Sequence, residues 1–376
     1  MRISTDQTVF SPYDEGVDTA VDQSVLKAFS FRVKDATSGK RLAALGEAVN
    51  TVWNYVNEIS ARSANRGPVW ATKKQLRDLT KGAGKLLGLP SQVVQEVIDE
   101  FVLRRRDAGH PKLRWRASRG SRRALGWVPF TNQDIALEGE AVLLRGQRFR
   151  LWLHRAVEGR IKSGNFSQDA RGRWYCNLVC EIPCRQGGGR EEFGVDLGLK
   201  SVATCSDGTR LEQARFYRDL EPKLAEAQRK GRKRQVRTIH AKIANRRKDT
   251  LHKFSRALVD RARKITVGDV SASAMAKTRM AKSVLDAGWS TLRGMLRYKC
   301  DHAGVAYAVV DEANTTRACS SCGCLSGPTG LVGLNVRRWT CSECGAEHDR
   351  DRNASVNIAR LGCETPRPAR HGSPAF

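Results

Sequence analysis

The sequence predicts a mixed fold in two parts, α+β and then α/β: an antiparallel β-barrel with a helical bundle inserted in it, followed by a strand–helix half that carries a cysteine-rich insertion. Three observations predict this. Short period-two segments fall on either side of a long stretch of helical period. The second half alternates apolar strand candidates with polar helical ones. Two Cys-x-x-Cys pairs lie close together near the C-terminus.

Leu26–Val33 opens the barrel, with Phe29, Phe31 and Val33 alternating with polar residues. From about Arg41 to Arg105 two apolar stripes follow, Leu42, Leu45, Val49, Val52, Trp53 and Val56, then Val93, Val94, Val97, Ile98 and Val102. The loop Arg104–Arg123 is dense in Arg, Lys and Gly. After it Ala141–Leu144, Arg148–Leu153 and Arg173–Ile182 return to period two. The run Gly187–Gly189 marks a boundary. Beyond it the strand candidates are Phe193–Leu197, Ser201–Cys205, Ile265–Val270 and Val305–Val310, with a long polar segment from Arg218 to Arg263 between the second and third. The expected organisation is an acidic tail (1–23), a barrel (24–40 and 106–186), an inserted helical domain (41–105), a second domain (190–318 and 346–363), a metal-binding insertion (319–345) and a disordered tail (364–376).

Charge narrows the function. The chain has 66 Lys and Arg against 39 Asp and Glu, a net charge of +27. Unpaired cations cannot be buried, so they form a surface for a polyanion, and nucleic acid is the leading partner. Residues 229–253 hold eleven Lys or Arg and one acid, Asp249. Without phosphates to neutralise it, such a run repels itself. No apolar stretch reaches 18 residues, which argues against a membrane span. Residues 1–23 carry five acids and one Arg and do not read as a secretory signal. The expected location is the cell interior, associated with the nucleoid in a prokaryotic-type cytoplasm, with the 11 cysteines as thiols or metal ligands.

Two constellations carry chemistry. Cys319-x2-Cys322 and Cys341-x2-Cys344 are separated by 18 residues, and each pair is followed by Gly. Two such knuckles complete a tetrahedral S4 site suited to structural Zn2+. Cys324 is a spare neighbour; Cys176, Cys180, Cys184, Cys205, Cys300 and Cys363 lack paired spacing and read as core or free thiols. The second constellation is acidic. Asp196 interrupts the apolar run Phe193–Leu199, Asp311 and Glu312 end a strand, and Asp351 opens a helix that carries Asn353 and Asn357 one turn apart. Carboxylates from two strand ends and a helix start suit hard Mg2+, and two such ions about 3.5–4 Å apart align water and leaving oxygen in phosphodiester hydrolysis.

On Asp196, the knuckles and Asp349-Arg-Asp-Arg-Asn-Ala, the second half resembles the TnpB family of transposon-encoded, RNA-guided DNA endonucleases, which are related to type V CRISPR effectors. Val195-Asp-Leu-Gly-Leu and Asn314-Thr-Thr-Arg-Ala-Cys-Ser-Ser-Cys-Gly carry the likeness further. It implies a wedge barrel with an inserted recognition domain and a RuvC nuclease domain of RNase H fold. It also implies a guide RNA transcribed from the transposon end, and a duplex target carrying a short adjacent motif. One departure stands out. The family's usual second catalytic acid is a Glu, and Gly268 occupies its place here. Asp269 points to the opposite face by strand alternation. Glu312, in a Glu-x-x-Thr-Thr context seen in some members, is the expected replacement, so Asp196, Glu312 and Asp351 form the expected Mg2+ site, with Asp349 behind them. Three alternatives stay open: a binding-only guided repressor, a small type V CRISPR effector, and a transposase that acts without RNA. The loop Arg104–Arg123 and segment 229–253 are candidates for phosphate contact, and Trp115 and Trp127 for stacking on bases, although a Trp in or beside a barrel is more often core.

Overall fold

The computed structural model describes residues 24–67, 70–184, 189–270, 287–333 and 335–364. The expected acidic tail, Gly187 and Gly188, and all of the expected 364–376 tail except Glu364 lie outside these. Glu364 itself ends a helix.

The first half is built on a seven-stranded antiparallel sheet. Its strands are β1 (Ser24–Val33), β2 (Trp127–Thr131), β3 (Ile135–Glu138), β4 (Ala141–Leu144), β5 (Gln147–Trp152), β6 (Arg160–Gln168) and β7 (Trp174–Pro183), in the order β2-β6-β7-β1-β5-β4-β3. Period two works as the sequence predicts: Phe29, Phe31 and Val33 are buried on β1, and Trp174, Cys176, Leu178, Cys180 and Ile182 on β7. The two outermost strands, β2 and β3, are joined by a short turn. There the buried Asp134 accepts from the Thr131 amide at 3.1 Å and its hydroxyl at 2.9 Å. The turn curls the sheet, bringing its two edges round toward each other, and no ladder joins them among the described residues.

Four helices are inserted after β1: α1 (Ala36–Arg66), α2 (Lys73–Leu79), α3 (Ala83–Leu87) and α4 (Ser91–Ala108). Helix α1 begins five residues before the predicted Arg41, because Asp35 caps it by accepting from the Ser38 amide at 2.7 Å. The two apolar stripes predicted for α1 and α4 are buried, Leu45 and Val102 only partly, and merge with the sheet into one core that includes Phe101, Phe130, Phe149 and Phe166.

The basic loop divides in two. Arg104–Ala108 are helical, and Arg105 is buried, donating to Ser60 Oγ at 2.7 Å and the Ala71 carbonyl at 2.8 Å beneath the rings of Trp70 and Phe101. It is therefore a structural cation and no candidate for phosphate. The remainder is laid along α1 by a row of polar side chains. Asn57 and Asn54 each bridge the loop's backbone, at Leu113 and Arg116 respectively, and Ser60 donates to the Pro111 carbonyl at 2.6 Å. Arg116 stacks over Trp53 and Trp127, so Trp127 packs into the core instead of facing solvent. Trp115 is 54% exposed. Because Asn57 is wholly buried and both its hydrogen bonds meet backbone groups at 2.8 Å, Asn57→Ala is expected to cost about 1–3 kcal/mol, read as a lowered urea midpoint with unchanged slope.

The second half is a five-stranded sheet: β8 (Glu191–Asp196), β9 (Ser201–Cys205), β10 (Arg210–Glu212), β11 (Ala262–Gly268) and β12 (Ala306–Val310), in the order β10-β9-β8-β11-β12. Strands β8, β11 and β12 run parallel; β9 and β10 run antiparallel to their neighbours. Between β10 and β11 the polar segment forms α5 (Phe216–Arg229) and α6 (Lys233–Arg261); α7 (Trp289–Ala303) precedes β12, and the single turn α8 (Gly330–Gly333) follows it. Of the eleven cations in 229–253, ten are exposed and Arg247 is partly covered. Phe193, Val195, Ile265 and Val267 share a core with Leu251, Leu258, Trp289, Leu292 and Leu296 of α6 and α7. No helix among the described residues is long and apolar enough to cross a membrane.

Lys299 of α7 lies buried against α6, donating to the His252 carbonyl at 2.8 Å and Ser255 Oγ at 2.6 Å. Burial, then the nearby Arg256, pushes its pKa down to about 8. Between that value and the value of a free lysine, the unfolded chain binds more protons than the folded one, so this group favours folding progressively as pH rises through the window. Relative to Lys299→Met, the natural protein is expected to gain stability from pH 8 to pH 10, by of order 1–3 kcal/mol. Denaturant midpoints of both proteins across that range measure it.

Candidate active site and metal centre

Three parallel strands put three C-terminal ends at one edge of the sheet. Asp196 ends β8, Gly268 ends β11 beside Val310, and Glu312 stands two residues past β12. The helix α9 (Arg350–Glu364) lies across β8 and β11 with Asp351 in its first turn. Strand alternation places Gly194, Asp196, Thr266 and Gly268 on the face α9 covers. Gly194 makes this close approach possible: a Cβ there would run into the Ser355 carbonyl of α9.

Gly268 has a different use. A Cβ built on it would lie 2.8 Å from the Glu312 carboxylate and 3.1 Å from Ile358 Cδ1. The carboxylate of Glu312 thus occupies the space that a side chain at 268 would need. Asp269 turns away by alternation and pairs with Arg293 at 2.6 Å. Asp311 accepts from the Ala313 amide at 3.0 Å in its own turn.

Electrostatics link the three acids. Asp196 has its pKa raised to about 7, first by burial and then by the charges of Asp351 and Glu312, with Arg350 and Arg337 opposing. Burial also raises Glu312, assisted by Asp269 and Asp311. Asp351 is held by two guanidiniums: Arg337 Nη1 reaches both its carboxylate oxygens at 3.1 Å, and Arg350 Nη2 reaches Oδ1 at 3.1 Å. Among the described residues the ligand atoms of the three acids do not all fall within 4.8 Å of one another, as those of the cysteines do. Asp349 caps α9, accepting from the Arg352 amide at 3.0 Å, and pairs with Arg210 at 2.9 Å.

The turn after Glu312 is tied to α9. The Thr315 hydroxyl donates to the Glu312 carbonyl at 2.8 Å. Asn353 and Asn357, both buried and one turn apart, each donate to the Thr315 and Ala318 carbonyls. Asn353 Oδ1 also accepts from the Ser320 amide at 2.8 Å. One helix face therefore fixes both the strand end that presents Glu312 and the start of the cysteine region.

In that region the four thiols of Cys319, Cys322, Cys341 and Cys344 lie within 4.8 Å of one another, a set that can hold a metal ion such as zinc. Each knuckle closes on a left-handed glycine, Gly323 (φ 83) and Gly345 (φ 70), whose amides donate to the Cys319 and Cys341 carbonyls at 2.8 and 3.0 Å. The short strands β13 (Arg338–Thr340) and β14 (Glu347–Asp349) pair at the base of the second knuckle. His348 Nε2 lies 3.0 Å from Cys319 Sγ, and the Ser326 hydroxyl 3.2 Å from Cys341 Sγ. Of the remaining cysteines, Cys176, Cys180, Cys205 and Cys300 are buried, Cys184 is partly buried and Cys363 exposed. Sequence reasoning missed Arg337, Arg350, Ser326 and His348. Arg350 lies inside the Asp349-Arg-Asp-Arg motif and His348 directly before it, while Arg337 and Ser326 carry no local signal.

An acidic edge on a mixed five-stranded sheet, buttressed by a four-cysteine knuckle, defines a class of protein with a candidate carboxylate site and a separate thiol cluster able to hold a metal ion. Two family models match this part of the chain: "Probable transposase", of the IS605 OrfB type, over residues 183–279, and "Cas12f1-like, TNB domain" over 289–358. Residues 183–279 and 289–358 are thus similar to IS605-type transposases and to Cas12f1-like proteins respectively. Among its relatives are a protein of Streptomyces pristinaespiralis named "Putative RNA-guided DNA endonuclease", 36% identical over 52% of this chain and 52% of that protein. Another is the "CRISPR-associated endodeoxyribonuclease Cas12f1" of Sulfoacidibacillus thermotolerans, 25% identical over 54% of this chain and 56% of that one. The chain spans about half the length of the curated relatives it matches. A solved Cas12f1–sgRNA–target DNA complex aligns over 90% of the chain at 14% identity and a TM-score of 0.38, too loosely to carry an argument.

Proposed function

We propose that this protein is an RNA-guided DNA endonuclease whose active site uses Asp196, Glu312 and Asp351. The observation that supports it most is the Glu312 carboxylate filling the space left at Gly268, on the edge where β8 and α9 bring Asp196 and Asp351. The strand order β10-β9-β8-β11-β12 agrees with a RuvC domain of RNase H fold, and the curled seven-stranded sheet with a wedge barrel. The proposed limits are 24–40 and 106–186 for the wedge, 41–105 for the inserted recognition domain, 190–318 and 346–363 for the nuclease domain, and 319–345 for the zinc insertion.

All three acids offer hard oxygens, and burial together with the charges of Asp351 and Glu312 lifts Asp196 to about 7, a cost that a divalent cation would relieve, so the set fits Mg2+. Bound there, Mg2+ would supply charge neutralisation and an activated water. Glu312 and Asp196 would hold the cation side of the site from fixed strand ends. Arg337 and Arg350 hold Asp351 ready at the helix start. Cys319, Cys322, Cys341 and Cys344 would carry Zn2+ as a structural brace, with every coordination position taken by protein. A guide RNA from the transposon end would pair with one strand of the target duplex. The exposed cations of α6 and the segment after Pro111 would meet phosphates along that heteroduplex, with base pairing choosing the sequence.

The test uses the protein co-purified with RNA from its own genomic flank, offered a plasmid library with a guide-matched target beside randomised bases. Mg2+-dependent cutting only with RNA supports the reading. Cutting without RNA makes the protein a self-sufficient transposase, and guide-matched binding without any cutting makes it a repressor.

A further inference from the structure

The cysteine centre holds a fifth thiol that its four-ligand description leaves out. Cys324 Sγ lies 3.2 Å from Cys341 Sγ, nearer than the thiols of the cluster stand to one another across the knuckles: 3.6 Å for Cys322–Cys341 and 3.7 Å for Cys319–Cys344. The Ser326 hydroxyl is 3.2 Å from both Cys324 Sγ and Cys341 Sγ and bridges the pair. Cys324 is itself fixed, its carbonyl accepting from the Cys319 amide at 2.8 Å. Yet it stands outside the four-thiol set, because its sulfur is not within 4.8 Å of all the others. Two ligands of one metal ion must both leave it before they can join. A thiol beside a ligand but off the metal faces no such barrier.

We propose that Cys324 is the resolving thiol of an oxidation site at Cys341, resting on the reading of the four cysteines as a zinc centre. Hydrogen peroxide is the oxidant. The Cys341 thiolate attacks one peroxide oxygen and the O–O bond breaks, leaving Cys341 as a sulfenic acid, and the departing hydroxide takes a proton from solvent to become the first water. The Cys324 sulfur then attacks the Cys341 sulfur, an S–S bond forms, and the sulfenic oxygen leaves with the Cys324 proton as the second water. One thiolate, one thiol, one solvent proton and one peroxide thus become one disulfide and two waters. The sulfurs need close by only about 1 Å to reach the S–S bond length. Zinc loses Cys341, and the knuckle loses the brace that Ser320 provides to α9 through Asn353 and Arg360. The modification would therefore couple oxidant to the order of the helix that carries Asp351.

The experiment treats the full-length protein with hydrogen peroxide, follows zinc release with a chromogenic chelator and maps disulfides by non-reducing peptide mass spectrometry. The expected result is a Cys324–Cys341 peptide, loss of about one zinc per chain, recovery on adding dithiothreitol and zinc, and release slowed about tenfold in Cys324→Ser. Equal release rates in the two proteins, or a map dominated by Cys322–Cys341 or Cys319–Cys344, overturn the proposal. Peptide mapping reads the bond whether or not metal is present. A Cys324–Cys341 bond in zinc-free protein leaves the thiol pair standing and overturns only the metal reading.

Discussion

Glu312→Gln is expected to lower the Mg2+-dependent cleavage rate of guide-matched DNA by about two to four orders of magnitude while leaving target binding intact, equivalent to losing several kcal/mol of transition-state stabilisation. The change keeps the side chain's size and removes its charge, and burial together with Asp269 and Asp311 already makes that charge expensive to hold. The amide should therefore fold at least as well as the acid, and lost activity cannot be traced to lost structure. Gly268→Ala supplies an independent arm. Its new methyl would press on the Glu312 carboxylate and on Ile358, so cleavage should fall without removal of any acid. Single-turnover cleavage and filter binding on the same preparations separate chemistry from binding. Full activity in Glu312→Gln would remove Glu312 from the site and turn attention to Asp311 or Asp269.

Loss of the cysteine centre should have the largest effect on structure. Replacing Cys319 by Ala is expected to release the metal, unfold 319–349 and abolish cleavage, since structural zinc sites contribute on the order of 10 kcal/mol to the order of the segments they hold. Cys319 is buried, and its neighbour Ser320 is hydrogen-bonded to Asn353 and Arg360 of α9. Disorder in the knuckle therefore reaches the helix that presents Asp351. Metal analysis, hydrogen exchange across 310–364 and the cleavage assay read the three consequences. Protection that persists in α9 without metal would show that the asparagine clamp to Thr315 and Ala318 suffices alone. Cys363→Ala, at an exposed thiol far along the same helix, is the control.

What could be read from the sequence follows a physical pattern. Strands with a one-sided apolar alternation, β1 and β7, and helices with a full stripe, α1 and α4, were legible because each buries its own face. Strands β2, β3 and β6 were not. β2 contains Pro129, β3 buries no residue fully, and β6 buries only Phe166, so their pairing is decided by neighbours. Asp35 moved the start of α1 for a reason that hydrophobic periodicity does not contain. Arg105, read as part of a basic surface loop, is held inside by Ser60 and Ala71, and Trp127, for which core and base stacking both stayed open, packs against the core under Arg116.

By itself the sequence determined which ligand types the two candidate centres offer: four thiols at knuckle spacing, and carboxylates at strand ends and a helix start. It also determined the excess of cations, since charge and ligand type are properties of single residues and short spacings. Tertiary structure alone decided which groups meet. That Glu312 fills the gap at Gly268, that Arg337 and Arg350 grip Asp351, and that Cys324 lies beside Cys341 all depend on parallel strands sharing an edge and on a helix packed tightly over Gly194. Such contacts join residues far apart in the chain, where no local periodicity records the distance between side chains.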